Sequence, residues 1–75
     1  MIYPNVNIKR MFNKEIIIGS VYLSLGVVWL EKKIDLNEIL LIKNKFYRVD
    51  GRMGESLRYY IEEYHLNSID FITED

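Results

Sequence analysis

Residues 35–50, DLNEILLIKNKFYRVD, decide the fold because they fit two different secondary structures. In the first, Ile39–Ile42 and Phe46–Val49 are strands, and the tripeptide Lys43–Lys45 separates them. The asparagine at the centre of that tripeptide tolerates the left-handed backbone of a tight turn. This pattern predicts a β-hairpin.

The same stretch also fits a helix. Glu38 follows Asp35 at the spacing of a capping box, which marks the first turn of many helices. Apolar residues then recur at i, i+3, i+7 and i+10, namely Ile39, Ile42, Phe46 and Val49. We favour the hairpin, because Tyr47 and Val49 prefer strands and the Lys-Asn-Lys tripeptide interrupts the helical pattern.

Before this stretch, residues 16–30 (IIIGSVYLSLGVVWL) form an uncharged, largely β-branched run. Two glycines within it argue against a helix interior, and we predict strands at about 15–23 and 27–34. A membrane-spanning helix needs about 20 apolar residues, so the run is too short to span. No small-residue cleavage site follows it, and we expect a cytoplasmic protein with no membrane contact.

After it, residues 55–66 (ESLRYYIEEYHL) match an amphipathic helix. Leu57, Tyr60, Ile61 and Tyr64 recur at i, i+3, i+4 and i+7, which places them on one face and leaves Tyr59 outside. Residues 68–73 alternate as a final strand would. The predicted fold is therefore α+β, with an antiparallel sheet of four to five strands and one C-terminal amphipathic helix at about 55–66. We expect a single domain over residues 1–75, in which residues 1–14 form an irregular N-terminal arm.

Composition limits how so short a chain is stabilised. A domain of 75 residues buries roughly 60% of its unfolded surface. The chain has no Cys and one His, so neither disulfides nor a Cys or His zinc site can add stability. Apolar residues nevertheless make up 49% of it. We expect this surplus to be covered by association, either with itself as a homo-oligomer or with another protein.

No catalytic apparatus is evident. His65 is the only histidine that could serve as a base for Ser20, Ser24, Ser56 or Ser68, and it lies at the end of the predicted helix. No glycine-rich phosphate loop is present. The sequence therefore predicts neither an enzyme nor a bound cofactor or metal.

Cations concentrate in the middle of the chain, where they alternate with aromatic residues. We take these as the candidate residues for binding a partner or an anion: Lys43, Lys45, Arg48, Arg52, Arg58 and Tyr59. Such a mixture is typical of single-strand nucleic-acid binders. The net charge of −1 argues against nucleic acid as the main partner.

The stretch from Lys32 to Tyr64 resembles a ribbon-helix-helix repressor in outline. Lys32–Leu36 is strand-like, Asn37–Arg48 is compatible with a helix, and Glu55–Ile61 after the Gly51-Arg52 turn looks like a second helix. The resemblance implies an intertwined dimer with its strand pair in the DNA major groove.

Three hypotheses for function remain. The leading one is a small non-catalytic protein-interaction module that acts as a homo-oligomer. Residues with AT-rich codons are abundant, which suits a phage or mobile-element regulator or inhibitor of a host factor. The alternatives are a DNA-binding repressor of the ribbon-helix-helix type and a binder of a small anionic ligand at an oligomer interface.

Overall fold

The computed structural model describes residues 2–65, which form a closed barrel of antiparallel strands in the order β1-β2-β3-β6-β5-β4. The strands are β1 (Ile2–Arg10), β2 (Ile16–Tyr22), β3 (Val27–Leu30), β4 (Ile39–Ile42), β5 (Lys45–Arg52) and β6 (Arg58–Glu63). Within the described part of the chain, the only helical piece is a single 3-10 turn at Leu23–Leu25.

The connectivity is that of a Greek key. Strands β1, β2 and β3 follow one another as neighbours, and the connection after β3 carries the chain back to the free side of β1, where β4 pairs. Strands β4, β5 and β6 again follow as neighbours. The barrel closes where β6 pairs with β3, with Val28 opposite Tyr59.

The core consists of the residues whose side chains alternate into the barrel. It is formed by Ile8, Ile17, Val21, Val28, Leu30, Ile34, Leu40, Ile42, Tyr47, Val49, Tyr59 and Ile61. Ile34 lies in the connection between β3 and β4, and it covers one part of this core. Because strand residues alternate between two faces, the residues between these core positions point outward.

The α+β prediction is wrong, since the described chain is almost entirely β. The segment predicted as a helix at 55–66 contains β6, whose burial alternates strictly over Arg58–Ile61. Tyr59 and Ile61 point inward, whereas Tyr60 is exposed. The helical spacing was misleading because Tyr59 and Tyr60 are adjacent. Tyr60 fits the 3.6-residue period of a helix, whereas Tyr59 fits the two-residue period of a strand. Pairing with the distant β3 and β5 decides in favour of the strand.

The hairpin prediction for 35–50 is confirmed. Lys43 and Asn44 have φ values of 51° and 68° and connect β4 to β5. The strands predicted at 15–23 and 27–34 correspond to β2 and a shorter β3. Neither helix implied by the ribbon-helix-helix resemblance forms.

The predicted irregular arm is instead strand β1, in which a register shift between Tyr3 and Val6 accommodates Pro4 and Asn5. The predicted strand at 68–73 lies outside the described residues.

Candidate functional site

The candidate residues from the sequence do not form one cluster. Lys43 lies in the β4–β5 turn and Lys45 begins β5, and both are exposed. Arg48 points outward from β5 and donates to Asp50 at 2.9 Å and to Glu62 at 2.8 Å. The Asp50 carboxylate, through its hydrogen bond, raises the pKa of Arg48. The Arg48 guanidinium is therefore already paired with two carboxylates of the same barrel.

Of the other three candidates, Arg52 and Tyr59 are paired across β5 and β6, and the Arg52 guanidinium lies 5.9 Å from the centroid of the Tyr59 ring. Arg52 donates from Nε to the Ser56 carbonyl at 2.7 Å, which holds the β5–β6 turn. Tyr59, predicted to face outward, is completely buried, and its hydroxyl accepts a hydrogen bond from the Ile34 N–H at 3.1 Å. Arg58 is exposed at the start of β6 and pairs with no acidic side chain among residues 2–65.

Around Arg58, the outer surface of β2, β3 and β6 is rich in aromatic side chains. We call Tyr22, Leu25, Trp29, Arg58 and Tyr60 the aromatic face. Directly paired residues of antiparallel strands present their side chains on the same side of the sheet. The pairing places Tyr22, a valine of β3 and Tyr60 in one row, and Trp29 beside Arg58 in the next.

The side chains of the aromatic face lie together on the outside of the barrel and are not part of its core. Val27 points outward, does not belong to the core cluster, and is only 7% exposed because outer-face residues surround it. Leu25 is 73% exposed and Tyr60 is 46% exposed. A shallow hollow of about 340 Å³ lies between Tyr22, Leu25, Val27, Met53 and Arg58. The face thus combines a formed depression with exposed apolar rims.

A second charged cluster is internally balanced. Arg10 donates to Glu38 and to Glu15, and Lys32 donates to the other oxygen of Glu15 at 2.8 Å. The hydrogen bonds that Arg10 donates to Glu38 raise the pKa of the guanidinium, although burial opposes this. These contacts link the ends of β1, β2 and β4. Because two carboxylates balance two cations, the cluster has no net charge with which to attract a ligand.

The sequence analysis missed Tyr22, Leu25, Trp29 and Tyr60 as surface residues. The apolar run at 16–30 lacks alternating polar residues, so its pattern does not show which side chains of the predicted strands face outward. In the barrel one side of these strands faces the core, and the outward side is apolar as well. The 49% apolar content was the one signal that the surface carries apolar residues.

Among residues 2–65, no group of three or more acidic, His or Cys side chains is placed to hold a metal. No helix in that range is long and apolar enough to cross a membrane. No protein-family model, no curated protein and no solved structure matches the chain.

Proposed function

We propose that the protein is a small non-catalytic protein-interaction module and that its partner docks on the aromatic face. The observation that carries this proposal is the meeting of Tyr22, Trp29 and Tyr60 with Leu25 and Arg58 on one outer surface, where Arg58 has no acidic partner among residues 2–65. Tyrosine, tryptophan and arginine are the residues most enriched among those that dominate binding energy at protein interfaces.

The barrel core does not require this surface. Its inward residues form a separate cluster that includes none of the five residues of the aromatic face. Apolar groups left exposed in one continuous patch commonly mark a binding surface. Part of the apolar surplus of the chain therefore lies on the aromatic face. Because these side chains are on the outside of the barrel, a partner is better placed to cover them than the barrel's own core.

Side-chain recognition is favoured over strand addition. A closed barrel offers few unpaired strand edges. Residues 2–7 of β1 pair only with β2 among the described residues, but Pro4 lacks an N–H and the register is interrupted there. An incoming strand would find a blunted edge, so the aromatic face is the better docking surface.

The chemistry of the face indicates what kind of protein binds. Arg58 is its only charged side chain, and no acid among residues 2–65 neutralises it. A matching surface is therefore apolar and carries a carboxylate opposite Arg58. Twofold self-association centred here would place two Arg58 guanidinium groups together, which favours a different protein. The homo-oligomer expected from composition stays a prediction, which sedimentation at micromolar concentration will test.

The experiment uses two leucines that are both exposed but lie on different surfaces. Leu25 belongs to the aromatic face, whereas Leu36 is 51% exposed in the β3–β4 connection. A partner enriched by the full-length protein is identified and purified, and its affinity is measured for wild type, Leu25→Asp, Tyr60→Ala and Leu36→Asp. We expect the first two variants to weaken binding at least about tenfold, as residues central to an interface do.

Leu36→Asp is expected to bind like wild type. Two outcomes would contradict the assignment of the face. One is an equal loss of affinity in Leu25→Asp and Leu36→Asp, and the other is wild-type affinity in both Leu25→Asp and Tyr60→Ala. Arg58→Ala and Arg58→Glu extend the test, since charge reversal is expected to weaken binding more than truncation if a carboxylate lies opposite. Circular dichroism and thermal melts establish that each variant is folded.

A further inference from the structure

A groove opens at the seam of the barrel between β1 and β4, away from the aromatic face. Strand β1 pairs with β2 from Ile2 to Lys9, but it pairs with β4 only over Ile8–Arg10. Strand β4 ends at Ile42, and the chain turns there into β5. The space beside the first half of β1 is an open groove of about 550 Å³.

The groove has a basic and amide-rich lining. We call it the basic groove and define it by Asn5, Asn7, Lys9, Lys43 and Asn44. No acidic side chain from residues 2–65 lines it. Neither lysine forms an ion pair within that range, so both charges are available to a ligand.

The backbone fixes the positions of these groups. Lys43 and Asn44 occupy the left-handed conformation of a two-residue hairpin turn, and their places are set by the pairing of Ile42 with Lys45. The Lys43 ammonium lies 5.0 Å from the centroid of the Tyr3 ring, which restricts the side chain. A ligand therefore meets a cation that is already oriented.

Apolar side chains flank the cations. Lys9 is paired with Ile16 on one side and with Leu41 on the other, and all three side chains point outward. Ile16 is 62% exposed. A ligand with a charged end and a less polar body would satisfy both kinds of surface.

We propose that the basic groove binds the phosphate group of a small molecule, such as a nucleoside or sugar monophosphate. Two lysines and three amides provide point charges and hydrogen-bond donors for phosphate oxygens. The volume lies in the range of roughly 300–1,000 Å³ found for small-molecule sites. This site shares no residue with the aromatic face, so it stands independently of the proposed interaction function.

A nucleic-acid strand fits the groove less well. Binding a strand requires a track of cations with aromatic platforms for successive bases. The ring of Tyr3 is already covered by Lys43. The net charge of −1 gives no long-range attraction for a polyanion.

The test is a titration of the ¹⁵N-labelled full-length chain with inorganic pyrophosphate and with adenosine monophosphate, at constant ionic strength. We expect saturable amide shifts centred on Asn7, Lys9, Lys43 and Asn44. Lys9→Ala and Lys43→Ala should each weaken binding about tenfold, as the loss of one charged hydrogen bond does. Lys33→Ala is the matched control, since Lys33 is exposed and has no acidic partner within the described range.

Three results would overturn the proposal. They are the absence of saturable shifts with both probes, an equal loss of affinity in Lys33→Ala, and binding of single-stranded oligothymidine that tightens with length while adenosine monophosphate does not bind. Thermal melts of the three variants without ligand separate a lost site from a lost fold.

Discussion

Arg10 of β1 and Glu38, which directly precedes β4, are joined by two parallel hydrogen bonds. Nε donates to Oε1 at 2.9 Å and Nη2 donates to Oε2. Both side chains are largely buried, with 11% and 6% of their surfaces exposed. Glu38 Oε2 also accepts the Asp35 N–H at 3.0 Å. One carboxylate thus ties β1 to the connection that leads into β4.

Glu38→Gln is expected to destabilise the protein by about 3 kcal/mol, because it removes the buried counter-charge of Arg10 and leaves only the partly exposed Glu15 carboxylate beside the guanidinium. The change preserves the shape of the side chain, so packing is not the cause. Urea unfolding followed by circular dichroism measures the effect as a shift in midpoint at constant slope.

The matched control is Glu62→Gln, which removes an exposed partner of Arg48. Exposed pairs contribute little because water and salt screen them. We expect its unfolding midpoint to be indistinguishable from that of wild type. Similar shifts for the two variants would show that burial does not strengthen the Arg10–Glu38 pair.

The same pair predicts a pH dependence. The hydrogen bonds from Arg10, assisted by the Asp35 N–H and opposed by burial, hold the pKa of Glu38 below its ordinary value of 4.5. Lys32 first, and then Arg10, lower the pKa of Glu15 as well. Because the folded state lowers these pKa values, their stabilisation is complete above about pH 4.5 and is lost as the pH falls toward the lowered values.

We therefore expect the unfolding free energy of the wild type to decrease as the pH is lowered from 5 to 3. Glu38→Gln should show a shallower decrease over this interval, because its position no longer takes up a proton. Urea midpoints measured at half-unit intervals test this. A parallel pH profile for the two proteins would mean that Glu38 titrates alike in the folded and unfolded states.

The sequence predicts correctly those elements whose own residues determine their structure. The β-branched residues of β2 and the Lys43–Asn44 turn specify a strand and a hairpin by themselves. The sequence around Tyr59 and Tyr60 fits two periods, and only the pairing of Val28 with Tyr59 decides between them. That contact joins distant parts of the chain, so no short window of sequence contains it.

Which of the candidate cations share a surface could not be predicted from the sequence, for a related reason. Cations were selected by their density along the chain, but density does not reveal which of them the fold neutralises. Arg48 and Arg52 are held by neighbours, whereas Lys43 and Arg58 meet no acid within residues 2–65 and lie on different surfaces. The outward apolar rows became visible only when the strand register was known.

Tyr59→Phe is expected to destabilise the barrel by about 1–2 kcal/mol, because the buried Ile34 N–H loses its acceptor. The ring itself remains and keeps the packing of the core. The adjacent Tyr60→Phe is the control, since Tyr60 is 46% exposed and its hydroxyl makes no hydrogen bond with the described residues. Thermal melts of both variants compare the two hydroxyl groups, and equal melting temperatures would contradict a structural role for the one on Tyr59.

A side chain at Gly19 of β2 is expected to destabilise the barrel. A Cβ at this position would lie 2.6 Å from the Trp29 carbonyl oxygen and 2.6 Å from Ile8 Cδ1. The isoleucine can adjust, but the carbonyl belongs to the backbone of paired strand β3 and cannot move without disturbing the barrel. Gly19→Ala should therefore cost about 2–3 kcal/mol, as overpacking does.

At Gly51 a Cβ would meet only Tyr60 Cδ2 at 3.6 Å, an ordinary contact. Gly51→Ala should unfold at nearly the wild-type urea concentration, and a Gly19→Ala variant as stable as Gly51→Ala would refute the close approach of β2 and β3.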